Sequence, residues 1–417
     1  MPRLENIGCL ATCASPSGQD DIGLIHGAAL VWQDGVVRWT GPASALPAEY
    51  AEEPAWDAGG RLVIPGLVDA HTHLAFGGWR AGEFSDRIRG RSYLEVAADG
   101  GGIASTVRAT RALDEETLVE RSRRFLSEMV SLGVTTVEAK SGYGLDLETE
   151  LRLLRVYRRL DEIGPARVVA TCLAAHVIPP EWKADRSGYV DLIVAEILPE
   201  VASQGLADFC DVFVEDSAFS ADEARRILAR ARELGLEPKL HVDQLTGGTG
   251  AELAASVGAT SADHLECVSE AGIRALADAG VVAVTLPIAT LYLDQTPPPA
   301  RALIDDGVAV AVATDFNPGT APSYHLPLAM ALACTRQRMT PAEVLKGATR
   351  FAARAIGREG TAGSLEPGGA ADFAVIDAPD VEHWLYHLRP NACTATVIGG
   401  DIRHGALRAA GGGSGSL

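Results

Sequence analysis

Two histidines one residue apart, His71 and His73, close the run Leu62-Val63-Ile64-Pro65-Gly66-Leu67-Val68-Asp69-Ala70. In an extended strand, residues i and i+2 project to the same face. Two imidazoles on one face at the end of an apolar strand form half of a metal site, and imidazole suits zinc or iron. Other apolar runs end at or near His176, His241, His264 and Asp315. His71, His73, His241 and Asp315 are the candidate ligands of one ion, with one position open to water. A bound divalent ion brings the pKa of water down to about 7 and polarises a carbonyl. Asp315 is also a candidate to take the proton of that water. His264 would sit beside it as a hydrogen-bonding or proton-transfer group, or one layer behind the reaction. Lys140 follows another run and would bridge two ions only if carboxylated, so a single ion is the economical reading.

These residues need a frame that gathers strand ends at one place. Apolar β-type runs at 133–138, 167–176, 209–215, 239–242, 259–264, 281–285 and 308–315 alternate with helical stretches such as 148–160, 220–234, 250–257 and 269–279. Alternation of this kind implies a parallel sheet covered on both faces. With 62–71 as the first strand there are eight, which suits an α/β fold of the (β/α)8, TIM-like barrel class, whose active sites lie at the C-terminal strand ends. The two ends of the chain read differently, as short β segments. Ala28–Trp32 and Gly35–Trp39 flank a turn at Gln33-Asp34-Gly35, a hairpin pattern. Runs at 371–376 and 394–398, the latter followed by Gly399-Gly400, look similar. The expected layout is a small β-sandwich domain from 1–66 and 362–410, a catalytic barrel at 67–361, and a flexible tail at 411–417.

The chain has 417 residues and a formal net charge of −19. That balance argues against nucleic acid and anionic membrane surfaces as partners and leaves a small molecule. An anionic substrate would need a dedicated cation against this field. Seven cysteines are scattered without C-x-x-C spacing, which fits a reducing compartment. The opening Met1-Pro2-Arg3-Leu4-Glu5 lacks a signal-peptide layout, and no apolar run approaches the roughly 18 residues of a membrane span. A cytoplasmic protein is expected.

The run Pro65–His73 resembles the metal motif of the amidohydrolase superfamily. Further similar segments are Gly100–Arg111, Glu138–Leu145, His241–Leu245 and Thr314–Thr320. The resemblance covers nearly the whole chain and is narrower than the superfamily. It points to the members that hydrolyse 4-imidazolone-5-propanoate to N-formimino-L-glutamate in histidine degradation. It implies a metal-bearing barrel with a small β domain built from both termini, one Zn2+ or Fe3+ per chain, water addition at the ring carbonyl with cleavage of a ring C–N bond, and a homodimer. Arg80 becomes the candidate cation for the propanoate, since arginine grips a carboxylate through two parallel hydrogen bonds; the competing reading is a surface salt bridge. Tyr143 would offer its hydroxyl, and His176 and Gln244 would hydrogen-bond the ring. Some relatives carry Glu at the position of Gln244; an amide is no general base, so this position is given a binding role only. Asn317, Gly319 and Thr320 would form a substrate-binding loop, with Gly319 serving either the ligand or only the turn. Arg108 and Arg111 receive no role, and His325 a structural one. Two alternatives stand beside this reading. One is another cyclic amidohydrolase or a purine or pyrimidine aminohydrolase, against which Arg80, Tyr143 and the 315–320 loop speak. The other is a catalytically silent barrel scaffold, against which the four intact candidate ligands speak.

Overall fold

Leu67–Thr72 and Val134–Lys140 are buried at every position, as strands covered on both faces must be. They open a parallel sheet that continues through Arg167–Ala175, Phe209–Val214, Glu237–Val242, Ser261–His264, Val282–Thr285 and Val310–Val312. The computed structural model describes residues 1–91, 95 and 100–410; the expected flexible tail at 411–417 lies outside the described residues. Among the described residues this sheet has eight strands in strict chain order. The helices that follow the strands include Leu147–Ile163, Ala221–Glu233 and Glu270–Ala279. Asp146, Ser220 and Ser269 cap these three by accepting from backbone N–H groups of the first turn.

The first and last strands meet through the candidate ligands themselves. The Asp315 N–H donates to the His71 carbonyl at 3.0 Å, and the His73 N–H donates to the Phe316 carbonyl at 2.8 Å. Beside them the Thr314 N–H and hydroxyl donate to the Asp69 carboxylate at 3.0 and 2.6 Å. The barrel closes at the point where three of the four candidate ligands leave the backbone.

Residues 62–71 are not one barrel strand. Leu62–Pro65 belongs to a second sheet, where it lies parallel to Arg3–Ala11 and antiparallel to Phe373–Ile376. Only Leu67–Thr72 enters the barrel. The joint is Gly66, whose N–H donates to the Asp372 carbonyl while the next N–H, of Leu67, donates to Gly133. A Cβ at Gly66 would stand 2.2 Å from the Thr135 hydroxyl oxygen, so only glycine passes this crossing. The second sheet is built from both ends of the chain and includes Leu24–Gln33, Val36–Pro42, Cys393–Ile398 and Asp401–Gly405. The expected hairpin is present, and Asp34 and Gly35 both have positive φ (51° and 75°), as a two-residue turn of this hand requires. A separate apolar cluster that includes Leu4, Leu30, Trp32, Val63 and Phe373 fills this sheet's own core.

Candidate active site

His71, His73, His241, His264 and Asp315 converge at the C-terminal mouth of the barrel, each no more than 3% exposed. The Asp315 Oδ1 lies 3.5 Å from the Nε2 of both His71 and His73. The ring centres of His71 and His241 are 4.5 Å apart, and those of His241 and His264 are 5.4 Å apart. His264 and Asp315 reach this cluster from residues with φ of +84° and +56°, a conformation that non-glycine residues hold mainly where function demands it.

The other nitrogen of two of these rings is already engaged. His71 Nδ1 is 2.7 Å from Asp263 Oδ2, and His241 Nδ1 is 3.1 Å from Asp211 Oδ1. A carboxylate only accepts, so each Nδ1 carries the proton and each Nε2 presents its lone pair. Both Nε2 atoms are buried without a hydrogen-bond partner. Burial, reinforced by the Lys140 charge, holds both rings well below their ordinary pKa and therefore neutral. Neutral, oriented, unpartnered imidazoles beside a carboxylate are a donor set that fits a metal ion. His264 differs: burial works against its charge, but Glu266 and Asp315 outweigh it and its pKa is raised.

Beneath the histidines lies a charge network whose members come together only across the barrel strands. Lys140 Nζ is 2.7 Å from Asp211, 3.0 Å from Glu138 and 3.3 Å from Asp263. Lys239 pairs with the same Glu138 at 2.9 Å. All five side chains are fully buried. Burial alone would neutralise Lys140, yet the three carboxylates hold its ammonium above its ordinary range. Lys140 thus holds the two aspartates that orient His71 and His241. A signal is present: Glu138 and Lys140, and Lys239 and His241, each lie two apart in a strand with apolar residues between and beside them, and charges there must find partners.

A cavity of about 230 Å³ opens onto the cluster, lined by His73, Arg80, Tyr143, His176, His241, Gln244, His264, Asp315, Asn317 and Thr320 among others. The structure therefore brings together the candidate metal, proton-transfer and substrate-binding residues, with His71 directly behind them and Gly319 against Arg80. Arg80 is 7% exposed, and its Nε and Nη1 are buried without hydrogen-bond partners. Gly319 does not have the positive φ that a turn glycine would need. A Cβ there would instead lie 1.7 Å from Arg80 Nη2, so the missing side chain is the space the guanidinium occupies. Asn317 organises its own loop, accepting the N–H groups of Gly319 and Thr320 at 2.8 Å each. His176 Nδ1 is 3.0 Å from the Gly142 carbonyl, which fixes the proton on Nδ1 and leaves Nε2 as an acceptor. Its ring stacks on His73 at 5.1 Å.

The loop carrying Tyr143 is held from two sides. The buried Glu150 carboxylate accepts the N–H groups of Gly142, Gly144 and Leu145. Arg111 donates to the Gly144 carbonyl at 2.7 Å and pairs with Glu181 at 2.7 Å, which gives this arginine a positioning role. Arg108 donates to the Gly100 carbonyl, and His325 caps the helix Leu326–Gln337.

Residues 62–403 match the amidohydrolase family. The chain is 47% identical over 387 residues to an imidazolonepropionase of Geobacillus thermodenitrificans, covering 92% of this chain and 91% of that one. It is 50% identical over 379 residues to an imidazolonepropionase of Myxococcus xanthus, covering 90% of each. Among solved structures, a 5-methylcytosine deaminase of Klebsiella pneumoniae superposes with a TM-score of 0.74 at 17% identity, covering 97% of both chains. An atrazine chlorohydrolase of Arthrobacter aurescens complexed with zinc superposes with a TM-score of 0.70 at 16% identity, covering 98% of this chain and 96% of that one. At such identities the structural likeness speaks for the fold.

Proposed function

The chain belongs to the amidohydrolase family and, within it, to the imidazolonepropionases, and on that footing we propose that it hydrolyses 4-imidazolone-5-propanoate to N-formimino-L-glutamate. The observation that carries the reading is the buried Arg80 guanidinium, whose Nε and Nη1 make no hydrogen bond within the protein and whose one ion pair, to Glu83, is long at 3.9 Å, opening onto the same cavity as the neutral histidines. It offers a carboxylate two parallel donors in a site shielded from water. His71, His73, His241 and Asp315 would hold one ion, Zn2+ or Fe3+. When bound, the ion supplies Lewis acidity toward the ring carbonyl and acidifies water.

In this reading the chain's own residues do the rest. Arg80 binds the propanoate and fixes which edge of the ring faces the histidines. Tyr143, His176 through its free Nε2, and Gln244 hydrogen-bond the ring. Asn317, Gly319 and Thr320 shape the wall against Arg80. Asp315 takes the proton of the attacking water at its carboxylate, and His264 holds the carbonyl oxygen as charge develops there. The water oxygen bonds to the ring carbonyl carbon, the bond from that carbon to the adjacent ring nitrogen breaks, and the proton passes to that nitrogen. We take 67–361 as the catalytic unit and 1–66 with 362–410 as its platform. Among the described residues no helix is long and apolar enough to cross a membrane. Seven unpaired cysteines support work in a reducing cytoplasm. The homodimer that the resemblance implies is read by sedimentation on the purified protein.

Turnover of freshly generated 4-imidazolone-5-propanoate, followed by ultraviolet absorbance with metal content measured on the same sample, tests the reading. Loss of absorbance with formation of formiminoglutamate is expected at about one metal per chain. A fully loaded protein that leaves the compound untouched overturns the substrate and moves it to another cyclic amide or aminated ring. Gly319→Ala is expected to displace Arg80, the movable end of a flexible side chain. It should raise KM about 10- to 100-fold, the scale of a charge-assisted pair, while the thermal midpoint holds. A KM unchanged from wild type would remove Arg80 from the binding site.

A further inference from the structure

The chain contains four lysines, Lys140, Lys183, Lys239 and Lys346. Three are fully buried and bound to carboxylates or carbonyls within the fold. Lys183 alone is exposed, and it lines the mouth of the active-site cavity. Among the described residues lining that cavity, Arg80 and Lys183 are the cations and Asp315 is the carboxylate.

The backbone under Lys183 is fixed while its ammonium is free to move. It follows the turn Pro180–Trp182, which Pro179 and Pro180 stiffen. Arg111 pins the same turn by pairing with Glu181 at 2.7 Å, and Asp185, equally near Lys183 in sequence, caps the next helix by accepting from the Gly188 N–H at 3.0 Å. No ion pair engages Lys183 among the described residues. The whole chain carries −19 and repels a carboxylate at distance. A buried arginine such as Arg80 acts only once the ligand is inside.

We infer that Lys183 is a capture residue: a mobile cation at the mouth that draws the substrate's carboxylate in against the protein's field and passes it to Arg80. This rests on the anionic substrate of the proposed function. A lysine suits the task because its ammonium is a hydrated point charge on a flexible stem. It attracts without the two-point grip that would retain the anion. A charge at a rim acts on the rate of encounter and is screened by salt.

The test compares kcat/KM of wild type, Lys183→Gln and Lys183→Arg on 4-imidazolone-5-propanoate across ionic strength, beside the neutral propanamide analogue. With Gln, kcat/KM should fall about three- to tenfold at about 10 mM salt, with kcat retained, and the gap should close toward about onefold at about 1 M. Arg should restore the wild-type profile, and the propanamide should show no gap. A gap that is absent, indifferent to salt, or equal on the propanamide overturns the inference while wild-type turnover leaves the functional reading intact. A wild type that turns over neither compound overturns the functional reading and this inference with it.

Discussion

Alanine at His71 or at His73 is expected to lower metal content and turnover together. The Nε2 of His71 and the Asp315 carboxylate already lie 3.5 Å apart in a site from which water is largely excluded. No other donor stands ready to replace a lost imidazole from the same strand. Losing both the acidified water and the polarised carbonyl should cost at least about a thousandfold in kcat/KM. Asp263→Asn makes an instructive contrast, because it leaves the ligands in place and removes only the carboxylate that orients His71. Outer partners of this kind are worth about 10- to 100-fold in metal affinity. Metal content by mass spectrometry and turnover on the same preparations rank the three variants. An alanine variant that keeps its activity would remove the ligand assignment.

Lys140→Met carries the second large expectation, on stability. The substitution nearly preserves volume but leaves Glu138, Asp211 and Asp263 with Lys239 as their remaining buried cation. Removing one partner of a buried charge network costs about 3–5 kcal/mol. For a cooperative unit of this length that is a fall in midpoint of about 3–6 °C at the usual unfolding entropy per residue. Thermal unfolding of metal-free protein separates this from any loss of metal binding. An unchanged midpoint would mean that the carboxylates take up protons and that Lys140 is not their necessary counter-charge.

Much of the frame was legible because its signals are local. The Asp34-Gly35 turn and the apolar runs that alternate with helical stretches depend on neighbours in sequence. The His-x-His pair was legible for the same reason. What stayed hidden depends on approach across the barrel. Nothing near Gly319 in sequence shows that the Arg80 guanidinium fills the space a Cβ would take. Asp211 and Asp263 look like incidental acids until parallel pairing places them behind His241 and His71. Gly66 looks like part of one strand because both sides of it are equally apolar; the crowding from Thr135 that makes it a joint comes from a strand almost 70 residues away.

That joint bears on how the molecule is made. The segment Leu62–Pro65 is held between Arg3–Ala11, which is synthesised before it, and Phe373–Ile376, which follows it by about 300 residues. Its continuation carries His71 and His73, and the barrel seam that seats them closes against residues 314–316. A nascent chain can pair Leu24–Gln33 with Val36–Pro42 at once, but the segment leading into the ligand strand lacks one of its neighbours until residues 373–376 have emerged. Pairings so distant in sequence form late. A metal ion would therefore find its candidate ligands fully seated only after residues 373–376 have joined the second sheet.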